Sequence, residues 1–204
     1  MTKNILSILI VVLTGICFTA PCFAGWLVFN KLAYRGRIID AETKEPIQGA
    51  VVVAMYSVDY YIGPPAGSNP TMIHIKETLT DEKGEFYIPS YTTPMGPNSY
   101  ELTTEFIIYK PEYGNYPRWQ TSPPYFVNAD DFFSGELGTT GEIQRKSKVV
   151  SFIYGVVELP RLKNEEERAR AVPPPPTDKK KDTPLLYNAI NEEAKRFGWG
   201  LIGR

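Results

Sequence analysis

The stretch YRGRIIDAETKEPIQGAVVVAMY, residues 34–56, decides the fold. Residues 34–40 read as a strand with Gly36 inside it, where a missing side chain lets another backbone approach closely or marks a bulge. Residues 41–48 are polar and contain Glu45-Pro46, which makes them a turn, and Gly49 ends it with a conformation unfavourable to other residues. Residues 50–56, AVVVAMY, are apolar at every position, as a central strand buried on both faces is.

Working outward, residues 71–80 alternate. Ile73, Ile75 and Leu79 share one side; His74, Lys76 and Thr78 share the other, the surface side. Asp81-Glu82-Lys83-Gly84 is a turn with Gly84 where positive φ is usual. Residues 85–89 return as a strand, Phe86 and Ile88 inward, Glu85 and Tyr87 outward. Further strands are expected over 102–109 and 149–159, the latter interrupted by Gly155. Trp26-Leu27-Val28-Phe29 is a first strand or a plug over the core. Residues 58–70, 91–99 and 110–126 read as Pro/Gly loops, Asp130-Asp131 as the start of a short turn or helix, and 135–141 as flexible. High proline and tyrosine content, 18 and 13 residues, suits a loop-rich β-protein.

The ends differ in character. Lys3, the apolar run ILSILIVVL and a Cys-Phe-Ala ending at Ala24 form an export signal over 1–24, with an uncleaved anchor and a lipoprotein signal as the alternatives. Cys17 and Cys22 leave with it, so the mature chain has no thiol for catalysis, metal or redox. A cleaved chain carries 21 basic against 23 acidic side chains, and Lys179-Lys180-Lys181 is flanked by acids. That is no footprint for nucleic acid. After the β-domain (25–160) comes a charged tail (161–204): a helix capped by Asn164, a polyproline break over 173–176, and a second helix behind Thr183-Pro184. Its Leu186, Ala189, Ile190, Ala194 and Phe197 lie on one face, expected to pack back on the β-domain, with docking on a partner or a membrane surface as the alternative, and Gly198 stops it.

Gly36-Arg37-Ile38-Ile39-Asp40, Thr43-Lys44-Glu45-Pro46-Ile47, Gly49-Ala50-Val51-Val52-Val53 and Thr80-Asp81-Glu82-Lys83-Gly84-Glu85-Phe86 resemble the carboxypeptidase regulatory-like domain. The resemblance implies a mainly β fold: an antiparallel, seven-stranded, transthyretin-like (prealbumin-like) Greek-key β-sandwich. It does not imply an activity. The one histidine, His74, rules out the family's attached zinc peptidase site and the related hydrolases' histidine set.

No catalytic residue, metal or cofactor is expected, and the chain reads as a non-enzyme. There is no Gly-x-Ser-x-Gly elbow and no dinucleotide fingerprint, and Asn128, Asp130 and Asp131 fall short of the six to eight oxygens calcium takes. The best candidate surface is the aromatic loop: Tyr113, Tyr116, Arg118, Trp119 and Tyr125, joined by Tyr60 and Tyr61 if both loops meet at one end. The expected function is an accessory or structural protein of the bacterial periplasm or cell surface, working through contacts with a protein or cell-envelope component. The alternative is a carbohydrate-binding module that stacks a glycan on that loop.

Overall fold

The computed structural model describes residues 28–63, 67–96, 98–176 and 181–201. The expected signal over 1–24, Trp26, Leu27, Lys179 and Lys180 lie outside them. The chain is mainly β. Its strands are β1 (Val28–Lys31), β2 (Tyr34–Asp40), β3 (Val51–Gly63), β4 (Gly67–Leu79), β5 (Glu85–Ile88), β6 (Tyr91–Pro94), β7 (Ser99–Tyr109), β8 (Thr140–Arg145), β9 (Lys148–Ile153) and β10 (Val156–Leu159). Helix α1 (Ala129–Ser134) lies between β7 and β8, and α2 (Glu165–Ala171) and α3 (Pro184–Phe197) follow β10. No helix among the described residues is long and apolar enough to cross a membrane.

Two three-stranded sheets, ordered β10-β2-β5 and β4-β3-β7, enclose one core, and β1-β6 and β8-β9 form separate ribbons. Tyr34 and Ile38 of β2, Phe86 and Ile88 of β5, and Val157 and Leu159 of β10 meet Val52, Ala54, Tyr56, Phe106 and Ile108 of the second sheet. Phe132 and Phe133 of α1 fill the space between them. The opposite face of the second sheet is buried too: Val51, Val53, Ile75, Ile107 and Tyr109 pack against Leu186, Ala189 and Ile190 of α3. This explains why residues 50–56 are apolar throughout, since each face of β3 meets a different core. The apolar face of α3 packs back on the β-domain, as its spacing indicates.

Local chemistry sets the turns. Asp40 Oδ1 accepts the amides of Glu42 at 2.8 Å and Thr43 at 3.0 Å, starting the polar turn. Thr80 closes it: its Oγ1 accepts from Ala50 N at 2.8 Å and donates to Ile47 O at 2.6 Å. Asp81 Oδ1 accepts from Lys83 N and Glu85 N, and Gly84 adopts φ +71. Gly36 is the close approach anticipated above: Arg37 N donates to Gly155 O at 2.8 Å, and a Cβ on Gly36 would stand 2.7 Å from that oxygen.

Several expectations are corrected. Ten strands are present among the described residues, not seven. The pairing is not wholly antiparallel, because β10 lies parallel to β2. The chain leaves after β7 and returns through α1 and the β8-β9 ribbon, a crossover long enough for a parallel entry. Residues 58–63 and 67–70 are not loop but the far halves of β3 and β4. Pro70 is tolerated because β4 is an edge strand, where a missing N–H breaks no ladder. Likewise 91–94 form β6. The simple alternation over 71–80 fails at a bulge, where Tyr56 pairs with His74 but Ser57 pairs with Met72. The extra residue, Ile73, puts Met72 and Ile75 on the same face. Leu79, expected inside, is exposed, and His74 is not on the surface but half-buried, stacked on the Tyr91 ring at 4.6 Å. Thr183 gives α3 no side-chain cap; Glu77 of β4 does.

Candidate functional site: a cleft along the edge of β7

After β7 the chain doubles back. Ile108 and Tyr116 exchange both backbone hydrogen bonds, N to O at 3.3 Å and 3.0 Å. The next amide that could continue the pairing, Arg118 N, bonds to Asn115 Oδ1 instead, and the chain turns away. Asn115, almost wholly buried, holds the turn: its Oδ1 accepts from Arg118 N at 3.4 Å and its Nδ2 donates to Ala171 O at 2.6 Å. That second bond fixes the proline segment beside the loop. Further along, residues 121 and 122 pair with Glu158 and cover β10. Among the described residues no segment pairs with the outer edge of β7 over 104–107.

A cleft of about 600 Å³ results. Thr104, Glu105, Phe106 and Ile107 form its floor; Met55, Met72, Pro173, Pro174 and Pro176, and Tyr116, Pro117, Arg118, Tyr125, Val127 and Ala129, also line it. Met55 and Met72 belong to the face that meets α3, and Val127 and Ala129 pack on the sandwich core, so the cleft straddles the strand edge. Beneath the floor lies a polar cluster. The Tyr34 hydroxyl contacts Thr104 Oγ1 at 2.9 Å and donates to Asp130 Oδ1 at 2.5 Å, while Lys31 Nζ meets Asp130 Oδ2 at 2.5 Å. Burial, then the Asp130 hydrogen bond, pushes the Tyr34 phenol well above its usual range. Burial pushes Tyr56 up to about 12. Asp130 thus joins Tyr34 of β2 to Lys31 of β1.

The seven residues singled out from the sequence are not one platform. Tyr116, Arg118 and Tyr125 line the cleft. Tyr116 does so from the core, its ring edge-on to Phe133 and its phenol pushed up to about 12 by burial. Arg118 and Tyr125 are exposed, and the Arg145 guanidinium lies 5.3 Å above the Tyr125 ring. Tyr113 is half-buried, its hydroxyl helps hold the Asp40 carboxyl below its usual range, and Arg161 covers its ring. Trp119 is half-buried against Gly114. Tyr60 packs against the core at the far end of β3, with Tyr61 exposed beside it, and neither lines the cleft. Sequence reasoning missed Met55, Met72, the prolines and the β7 edge. The strand itself was legible; that its outer edge has no strand partner among the described residues was not.

No family model matches the chain, and no curated protein does. Among solved structures it is similar to a 3-chlorocatechol 1,2-dioxygenase from Rhodococcus opacus, with a TM-score of 0.32 and 17% identity. The likeness covers 67% of this chain and 61% of that one, so the chain spans about three fifths of that structure's length. The matched protein is an enzyme. The expectation that this chain is not one is corrected on that finding and is not carried further. At that TM-score the likeness carries no argument about chemistry or substrate.

Proposed function

We propose that the protein is an exported, transthyretin-like β-sandwich of the carboxypeptidase regulatory-like kind that acts in a bacterial envelope by receiving a protein partner in the β7 cleft. The motifs over 34–56 and 80–86 and the signal-like N-terminus support the family and the location. The observation that carries the function is a strand edge, unpaired among the described residues, that lines a largely apolar cleft. The glycan reading has less support, because Tyr125 is the one exposed ring among Tyr113, Tyr116, Trp119 and Tyr125.

In-cell photocrosslinking tests this. A benzophenone side chain at Arg118 is expected to give one discrete adduct, identified by mass spectrometry as a protein, and the same group at exposed Ser90 is expected to give none. Equal labelling from both positions, or no adduct at Arg118, overturns the reading.

A further inference from the structure

Resting on the reading of the cleft as a protein-binding site, we propose that its occupant is an extended peptide strand with an acidic end, added to the outer edge of β7 by backbone hydrogen bonds. The chain itself begins that pairing. In an antiparallel pair the N–H and C=O of alternate residues point to the same edge. The register of β7 with β3 runs unbroken from Tyr109 to Glu101, so the backbone groups of Phe106 and Thr104 point the same way as those of Ile108. Ile108 has Tyr116 as partner. Phe106 and Thr104 have no backbone partner on that edge among the described residues.

Exposed edges are usually blunted by proline, lysine or a bulge. Residues 102–109, LTTEFIIY, hold neither proline nor lysine, and their pairing with β3 shows no bulge. The open window over 104–107 spans about 13 Å and accepts about four to six residues of a partner strand. Side chains of that strand alternate between the Met55 and Met72 side and the Tyr116 and Val127 side, so apolar or small residues suit both. Unbranched methionines adapt to varied shapes.

Charge selects the end. Arg118 is exposed at the cleft, and Arg145 reaches over Tyr125 and Phe126 from the end of β8, with Lys146 and Lys148 exposed next along the chain. None of these four cations belongs to a salt bridge among the described residues. Among the described residues Glu105 is the one acid on the cleft lining. Arg118 on the lining, with Arg145 beside Tyr125, complements carboxylates at one end of the strand.

The test uses the whole chain and a fluorescein-labelled synthetic peptide of alternating valine and threonine with two aspartates at one end. Saturable binding is expected by fluorescence anisotropy. N-methylation of the amides that face β7 is expected to weaken binding about tenfold or more, and N-methylation of the alternate amides to leave it unchanged. Amide exchange of Thr104 and Phe106 is expected to slow by about tenfold in the complex. Arg118→Glu with Arg145→Glu is expected to weaken binding of this peptide but not of one without aspartates. Equal effects of both N-methyl registers, unchanged exchange at Thr104 and Phe106, or no binding overturns strand addition. So does a concentration-dependent dimer that protects the same amides without peptide, since the occupant is then a second copy. If the Arg118 crosslink captures its protein while the peptide fails, strand addition falls and the protein-binding reading stands; if both fail, both fall.

Discussion

Glu77 on β4 accepts the backbone N–H of Leu185 at 2.6 Å, across 108 residues of chain, and that of Leu186 at 3.1 Å. A strand carboxylate thus caps helix α3 and meets the positive end of its dipole. Burial raises the Glu77 pKa and the two amides pull it back only in part. The cap orients α3 so that Leu186 and Ile190 reach Val51 and Val53.

Glu77→Ala removes both acceptors and is expected to destabilise the protein by about 1 kcal/mol in urea denaturation. Faster amide exchange at Leu185 and Leu186 should accompany it. Glu77→Gln keeps an acceptor and sheds the buried charge, so it is expected to cost less than the alanine.

Asp40 supplies the pH dependence. Burial favours its neutral form, but the amides of Thr43 and Glu42, with the Tyr113 hydroxyl, outweigh that and hold the carboxyl below its usual value. Its contribution to stability is therefore complete above its unfolded pKa of about 3.9 and is lost as pH falls through the lower folded value. Thermal unfolding of Asp40→Asn is expected to show a flatter acid limb than wild type below about pH 4. Parallel limbs would count against the turn's role.

Gly36→Ala tests the contact between β2 and β10. The new Cβ would lie 2.5 Å from Phe86 Cε1 and 2.7 Å from Gly155 O, and a backbone oxygen has little room to move. We expect a loss of about 1–3 kcal/mol from overpacking. The Arg37 amide, which donates to Gly155 O, should exchange faster.

Glu193 of α3 is 1% exposed and takes a two-pronged bond from Arg168 of α2, at 2.6 Å and 2.7 Å. Glu193→Ala strands a guanidinium that is itself largely buried and is expected to cost about 3–5 kcal/mol. The double change Arg168→Met with Glu193→Leu should recover most of that loss, because no lone charge is left behind. A double variant as unstable as the single one would contradict this.

Where neighbouring residues cause the structure, the sequence was readable. Asn164 caps α2 through its side chain because the acceptor and the Glu167 amide lie three residues apart. Asp81 and Gly84 make their turn for the same local reason. Phe86 and Ile88 face the core while Tyr87 faces solvent, as the two-residue period of an unbroken strand requires. The alternation misled at Ile73, since one inserted residue reverses every side chain beyond it. Prolines also misled: Pro70 looked like a loop residue because nothing nearby reveals that β4 has a solvent-facing edge.

The sequence by itself determined the mainly β character, the two-faced burial of 50–56, the turn at 81–84 and the apolar face of α3. Each follows from the composition and spacing of residues close in the chain. Only the tertiary structure decided that β10 runs parallel to β2, that Glu77 caps α3, that Tyr116 belongs to the core while Tyr125 does not, and that no described segment pairs with the outer edge of β7 over 104–107. These depend on which distant segment arrives beside which. A backbone N–H is the same group in every residue, and whether it is satisfied or left facing a cleft is settled by packing and not by its own side chain.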